Sequence, residues 1–393
     1  MSNLLKEDKE YLLNVYNRME LEIVGGEGSF LYDSEGNKYL DMFSGIAVNG
    51  LGQSQNELNK KIKNQLDKYI HLSNYFASKP VVELAKLLVD NTFASKVFFS
   101  YSGSEANEAA LKLDRLYTKE IYKNKTEILA ATEAFHGKTM GSLSLTGRKK
   151  YRDKFSPLLS DVKHFKFNDI NDLQNKVSEK TSAVFIEIIQ GEGGIHELSQ
   201  NFVDKLLSLS NNYNFLIVVD EIQTGMGRSG DFLAYEKFGF EPDLVTMAKS
   251  LGGGLPLGAL LVNDKLSDTF NYGDHGSTFG GNPIACAAGT YVVNTILDDE
   301  FQKELNEKCN FLMNELKKLK KKYPQIIKEI RGRGFMLGIE VGEYADEIKK
   351  KALKRKLLLN VTDDTVIRLL PALNIKRKTL EKFIDILSDI LAN

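Results

Sequence analysis

Apolar positions change their spacing three times along the chain. Residues 1–20 scatter apolar side chains among charges and read as a polar, partly helical arm. Over residues 21–43 (LEIVGGEGSFLYDSEGNKYLDMF) short alternating segments flank the turn Asp33-Ser34-Glu35-Gly36-Asn37, which predicts a small antiparallel piece. From about residue 55 uniformly apolar runs take over: KVFFS, EILAA, SAVFIEII, FLIVVD, LVTMA and GALLV, with helical stretches such as SEANEAALKLDRLY between them. Strands that are apolar on both faces and separated by helices predict a mostly parallel sheet, because crossover helices cover each face. After about residue 290 helical spacing returns. FQKELNEKCNFLMNELKKLKKK sets Phe301, Leu305, Leu312, Leu316 and Leu319 near one face. Short strands around GFMLGIEV and VIRLL and a closing helix follow.

The expected fold class is therefore α/β. Residues 1–50 form an N-terminal arm and part of a small α+β domain, residues 51–292 a large domain, and residues 293–393 the rest of the small one. No internal repeat or low-complexity linker interrupts this order. A chain of 393 residues is long enough for such a division.

Composition narrows the partners. A net charge of −1 gives no electrostatic reason to expect nucleic acid or an anionic membrane surface. Two cysteines, Cys286 and Cys309, can build neither a disulfide framework nor a cysteine metal cluster, so a reducing cytoplasm is the expected compartment. MSNLLKEDKEYLL lacks the apolar core of a signal peptide, and runs such as FLIVV are too short to span a bilayer.

Candidate chemistry sits where strands end. Lys249 follows the run LVTMA and precedes Gly252-Gly253-Gly254. A lysine at a strand end, beside backbone able to approach a ligand closely, suits a Schiff-base residue; a surface lysine beside a hinge has the same pattern. Asp220 ends FLIVVD, at the carboxyl edge where α/β sheets bind ligands. A carboxylate there can keep a pyridinium nitrogen protonated, though an ordinary turn aspartate also follows strands. Gln223, in the same turn, could donate to a ring oxygen. Gly225, Gly227 and Gly230 match G-x-G-x-x-G, but polar residues separate the first glycine from the strand, so a dinucleotide site is disfavoured.

Ser102 and Glu105 fit a capping box at the start of EANEAALKL. The same geometry, with Gly103 admitting close approach and Ser104 adding a hydroxyl, forms a phosphate cup. Phe135, in the loop Phe135-His136-Gly137-Lys138-Thr139, could stack on a flat ring or belong to the core. His136 could donate a hydrogen bond behind it. Arg368, within VIRLLPAL, is either an internal ion pair or a carboxylate fork, and Glu192, in the loop IIQGEGGI, could pair with it. The tracts KKLKKK and IKKKALKRK read as solvated helix faces.

Taken in order, these segments resemble the class III (ornithine-type) aminotransferases, and within them the acetylornithine aminotransferases. The resemblance runs from LEIVGGEGSFLYDSEGNKYLDMFSGIAVNGLG through SGSEANEAALKL, AFHGKTMGSLSLTG, IQGEGGI, VVDEIQTGMGRSG, AKSLGGGLPLGA, GSTFGGNPIACAAG and RGRGFMLGIEV to NVTDDTVIRLLPAL. DEIQTGMGRSG followed by AKSLGGG, with Asp220 and Lys249 29 positions apart, is its most specific part. The resemblance implies fold type I with a seven-stranded, mostly parallel sheet, and pyridoxal 5'-phosphate (PLP) as cofactor. It implies that Lys249 carries the cofactor and shuttles the proton, Asp220 pairs with the pyridine nitrogen, Gln223 faces the ring hydroxyl, Phe135 stacks, and Gly103 and Ser104 hold the phosphate. Glu221 and Ile222 fall within the same cofactor contacts. Thr278 would reach the phosphate of a neighbouring subunit in a homodimer, and Ser277 would lie near substrate. Glu192 and Arg368 would form a gate that lets one site take an amino donor and then 2-oxoglutarate.

The implied reaction moves the terminal amino group of N-acetylornithine to 2-oxoglutarate in arginine biosynthesis. Ornithine, succinyl-diaminopimelate, 4-aminobutyrate and carrier-bound lysine are alternative donors on the same scaffold. A non-catalytic PLP-binding protein and a nicotinamide dehydrogenase are readings of other classes. Three positions depart from the family pattern: Lys138 where arginine is usual, Gln53 where histidine is usual, and Ile188 where proline is usual. Lys138 matters most, because the position is expected to grip a substrate carboxylate and lysine lacks the planar fork. Gly45 stands near where the ornithine enzymes place an aromatic.

Overall fold

The computed structural model describes residues 3–392. Seven strands form the central sheet, in the order Lys96–Ser100, Gly258–Val262, Leu244–Met247, Leu216–Asp220, Thr181–Ile186, Glu127–Ala131 and Val162–Phe165. Gly258–Val262 runs antiparallel to both neighbours, and the other four pairings are parallel. All six apolar runs singled out above contribute strands. The four strands Thr181–Ile186, Leu216–Asp220, Leu244–Met247 and Gly258–Val262 are buried along their whole length, as expected of a sheet covered on both faces. The seventh, Val162–Phe165, lies at one edge and exposes Lys163. Its four residues VKHF carry no uniform apolar signal, and this is why sequence periodicity passes over it.

The two ends of the chain meet in smaller sheets. Ile23–Glu27, Phe30–Asp33 and Lys38–Asp41 pair antiparallel, and Leu357–Leu358 joins them from the C-terminal segment. The expected turn is closed by Asp33, whose Oδ1 accepts from the Glu35 and Asn37 amides at 3.0 and 2.8 Å. A second sheet of Glu329–Arg333, Met336–Glu340, Val366–Leu369 and Asn360–Thr362 carries Arg368. The helix Asp299–Lys322 buries Leu305, Leu312, Leu316 and Leu319, each contributing about 1.5–3 kcal/mol of apolar burial. Phe301, on the same face, is only partly buried. The arm expected over residues 1–20 begins outside the described residues; within them Asn3–Tyr11 is a helix that buries no side chain.

The division expected at residue 292 falls inside the helix Pro283–Leu297. That helix starts sharply, with Asn282 accepting from the Ile284 and Ala285 amides and Pro283 in the first turn. It packs on Asn56–Leu66 and Lys79–Asp90 of the large body. We therefore propose Asp298 as the junction, because it separates this helix from Asp299–Lys322 and caps the latter through the Phe301 amide at 2.9 Å. Among the described residues no helix is long and apolar enough to cross a membrane. Gln53 makes a two-way backbone bridge with Gly28, and Ile188 is fully buried with its carbonyl accepting from Leu198.

Candidate active site

The carboxyl ends of the strands open on one cavity of about 370 Å³, lined among others by Ser102, Gly103, Ser104, Phe135, Glu187, Asp220 and Lys249. Glu187, Asp220 and Lys249 stand at or just beyond the carboxyl ends of three parallel strands at this edge. The antiparallel strand Gly258–Val262 presents its amino end there instead, so Leu255, Pro256 and Leu257 complete the wall.

At the floor, Asp220 is nearly fully buried and its two oxygens accept three hydrogen bonds. Oδ1 takes the Ile222 amide at 3.0 Å. Oδ2 takes the Asn107 side chain at 2.8 Å and meets His136 Nδ1 at 2.7 Å. Thr246 in turn donates to Asn107 Oδ1 at 2.9 Å. Burial pushes the His136 imidazole down, but the hydrogen bond and charge of Asp220 outweigh it and hold it above the usual histidine range. Such a buried, paired carboxylate stays where it is aimed. Asn107 and Thr246 carry no sequence signal for this role; only the fold brings them to Asp220.

Lys249 opens a short 3₁₀ turn with a left-handed backbone, φ 48°. That conformation costs a non-glycine residue about 1–3 kcal/mol and persists where surroundings enforce it. Ser250 beside it donates to the Ala47 carbonyl at 2.6 Å, fixing the turn. Burial pushes the Lys249 ammonium down to about 8, with Arg368 adding to the effect and Asp220, Glu192 and Glu187 opposing it. Only the neutral amine attacks a carbonyl. At a pKa of about 8 roughly a tenth is neutral at pH 7. Covalent uptake of PLP by the cofactor-free protein, followed by visible absorbance, is therefore expected to rise steeply from pH 6 to 8 and level off above about 9. A rise continuing into the ordinary lysine range would show that the pocket does not shift this amine.

The helix Gly103–Ile121 begins at the cavity mouth with Ser102 accepting from the Glu105 amide at 3.3 Å. Glu105 accepts from the Tyr101 amide at 3.1 Å, so the return half of the box falls one residue before its standard place. Side chains are kept out of this cup. A Cβ on Gly103 would lie 2.7 Å from Ile222, and one on Gly137 only 2.3 Å from Ser104 Oγ. Unpaired amides at a helix start, with a serine hydroxyl beside them, suit a phosphate.

Behind the cavity-lining Glu192, the buried Arg368 pairs through Nη1 with Glu192 Oε1 at 2.7 Å and meets the Gly191 carbonyl at 3.0 Å and Gln223 Oε1 at 3.3 Å. Asn360 Oδ1 receives Nε at 2.9 Å and Nη2 at 2.7 Å. Burial raises the Glu192 carboxyl, but Arg368 pulls it below the usual range. The Glu192 backbone is clamped independently: Arg148 Nη1 and Thr362 Oγ1 both donate to its carbonyl. Arg148, which sequence reasoning missed, is itself paired with Asp363 at 2.8 Å.

Several expected site residues lie elsewhere. Glu221 turns away from the cavity and accepts from the Tyr235 amide at 2.9 Å and from Thr224 Oγ1; burial pushes its carboxyl up to about 7. Ile222 does line the cavity. Ser277 donates to Glu105 at 3.0 Å and Thr278 is exposed, both outside the cavity of this one chain. Lys138 is exposed and follows the cavity-lining Gly137 without itself lining the cavity. Gly225, Gly227 and Gly230 sit in an irregular turn that opens no helix, so the dinucleotide geometry is absent there.

An anion cup, a buried carboxylate, an aromatic wall and a lysine of lowered pKa, gathered at the carboxyl edge of one sheet, define a PLP site. Comparison with known proteins gives the family. Residues 13–391 match the profile described as Aminotransferase class-III. The chain is 42% identical to an acetylornithine aminotransferase of Caldanaerobacter subterraneus subsp. tengcongensis, over 99% of each chain. Among solved structures it resembles N-acetylornithine aminotransferase from Stenotrophomonas maltophilia K279a, at 30% identity and TM-score 0.86, covering 99% of this chain and 98% of that one. It also resembles the ornithine aminotransferase of Toxoplasma gondii ME49, at 25% identity and TM-score 0.94, covering 99% and 94%. The chain belongs to the class III aminotransferases and is a PLP-dependent enzyme.

Proposed function

We propose that this aminotransferase moves the terminal amino group of N-acetylornithine to 2-oxoglutarate, giving N-acetylglutamate 5-semialdehyde and glutamate, within cytoplasmic arginine biosynthesis. The observation that carries the reading is the Arg368–Glu192 pair at 2.7 Å, in which Glu192 lines the cavity, Arg368 lies buried behind it, and both charges act on Lys249. An ω-amine donor and a 2-oxo diacid must use the same site in turn, with different charge near the reacting carbon. With Glu192 paired, the arginine is neutralised and the wall admits the aliphatic arm of the donor. With Glu192 turned aside, the guanidinium is free to fork the α-carboxylate of 2-oxoglutarate. The printed names of the acetylornithine relatives support the choice of donor.

In this reading Gly103 and Ser104 bind the phosphate, Phe135 and Ile222 flank the ring, and Gln223 faces its hydroxyl. PLP supplies the electron sink that makes the substrate carbon acidic. Asp220 holds the proton on the pyridine nitrogen, and the Lys249 amine moves the proton at the substrate carbon. Lys138 faces the donor's carboxylate at the mouth. Ser277 and Thr278 belong to a second copy's site in a homodimer, Thr278 reaching its phosphate. The exposed Tyr272 and Phe279 beside them are apolar surface that such a partner would cover.

A panel of amino donors with 2-oxoglutarate tests the reading. The expected result is a kcat/KM for N-acetylornithine about tenfold or more above free ornithine and 4-aminobutyrate, since a lost or unpaired polar contact costs about 1–3 kcal/mol. Better turnover of either competitor would overturn the donor assignment while leaving the family intact. Gly45, which stands near where the ornithine enzymes place an aromatic, favours the acylated donor over free ornithine.

A further inference from the structure

Lys138, from the loop beyond Phe135, joins Arg148 and Lys150 of the short helix Lys149–Arg152 and its cap round one ring. Tyr151, half-buried, has Lys138 Nζ 5.2 Å from its ring centroid, Arg148 at 5.8 Å and Lys150 at 5.8 Å. The same ring meets Phe135, a cavity-lining residue, edge-on at 5.9 Å. Two of the cations are already answered by carboxylates. Arg148 pairs with Asp363 at 2.8 Å and Glu133 at 3.4 Å, and Lys150 with Asp364 at 3.6 Å. Lys138 has no ion pair among the described residues; its ammonium rests on the aromatic face, and its backbone amide reaches Ser104 Oγ at 3.4 Å.

We propose that Tyr151 is a positioning residue for substrate choice: it holds the unpaired Lys138 ammonium at the cavity mouth, ready for the carboxylate of an amino donor. The inference rests on the reading above that Lys138 faces that carboxylate. A lysine is a point charge on a flexible four-carbon stem and lacks the planar fork of arginine. Left free, it would sample many rotamers and lose entropy on binding a carboxylate. An electron-rich ring beneath the ammonium restricts it before the donor arrives and still leaves its N–H bonds free to donate. Arg148 and Lys150 crowd the same ring but are already paired with acids, so the charge on offer at the mouth belongs to Lys138.

The test uses the PLP-loaded enzyme, two variants at position 151 and two classes of donor. Tyr151→Leu is expected to raise KM for a carboxylate-bearing donor about three- to fivefold, the range of an exposed cation–ring contact, while kcat, the KM for 2-oxoglutarate and the visible spectrum of bound PLP hold. Tyr151→Phe, which keeps the ring and loses the hydroxyl, is expected to restore the wild-type donor KM. A diamine donor without a carboxylate is expected to respond to neither variant. An unchanged donor KM in Tyr151→Leu would overturn the proposal. So would an equal loss with the diamine, because Tyr151 would then act by bracing the Phe135 wall. The underlying reading fails differently: Lys138→Ala in the otherwise unaltered enzyme would leave the donor KM unchanged. Where Lys138→Ala does raise it, adding Tyr151→Leu to Lys138→Ala is expected to cause no further rise, and a full additional rise would refute the coupling.

Discussion

Lys249→Ala is expected to lower kcat by about ten-thousandfold or more and to abolish the visible band of covalently held PLP. Two functions end together. On the proposed reading the variant lacks both the amine that holds the cofactor and the base that moves the proton at the substrate carbon; positioned proton transfer alone accounts for about 10²–10⁴ in rate. Nothing nearby can substitute. Lys249 is the one lysine among the described residues that line the cavity. Relief of the left-handed backbone at position 249 is not expected, since alanine there meets the same steric cost. Absorbance spectra and steady-state rates on the purified variant decide the matter, and turnover within tenfold of the parent would refute the assignment of Lys249.

Asp220→Asn is expected to reduce kcat by about 10²–10³ while PLP remains bound, the magnitude typical of removing one preorganised electrostatic partner. The substitution conserves shape and removes charge. Both Asp220 oxygens are acceptors, one from the Ile222 amide and the other from Asn107 and His136. An asparagine can satisfy only one side, so an N–H faces a donor whichever way the amide turns, at a cost of about 1–3 kcal/mol. The imidazole of His136 meanwhile loses the partner that raises its pKa, and burial then drives it toward the neutral form. With no fixed negative charge, the pyridine nitrogen is protonated less and the ring draws electrons less strongly. The readouts are kcat together with the pH dependence of the visible spectrum. A kcat within threefold of the parent, with the spectrum unchanged, would show that Asp220 only braces the fold.

Much of the central sheet was legible because its signal is local. The run FLIVV is apolar without interruption and LVTMA is broken only by Thr246, and a charged residue follows each where the strand meets the cavity; Asp220 and Lys249 stand out for that reason. The start of the helix Gly103–Ile121 was legible from Ser102 and Glu105, since capping acts across three or four residues. Arg368 stood out as a charge inside an apolar strand. The division expected at residue 292 falls within a helix, because the small and alanine-rich sequence PIACAAGTYVVNTIL gives no break before Asp298.

By itself, the sequence determined the strands that build the floor, the residues that end them, and through the family pattern the class of chemistry. Tertiary structure alone decided the order of strands, the reversed direction of Gly258–Val262, and the partners that give each site residue its character. Asn107 meets Asp220 from 113 positions away, and Arg148 meets Asp363 from 215. Periodicity records which face of an element is buried, not which distant element covers it, so no local pattern could announce these contacts. The same limit applies to charge. A lysine has its ordinary pKa in any sequence, and only the walls that surround Lys249 push it down to about 8.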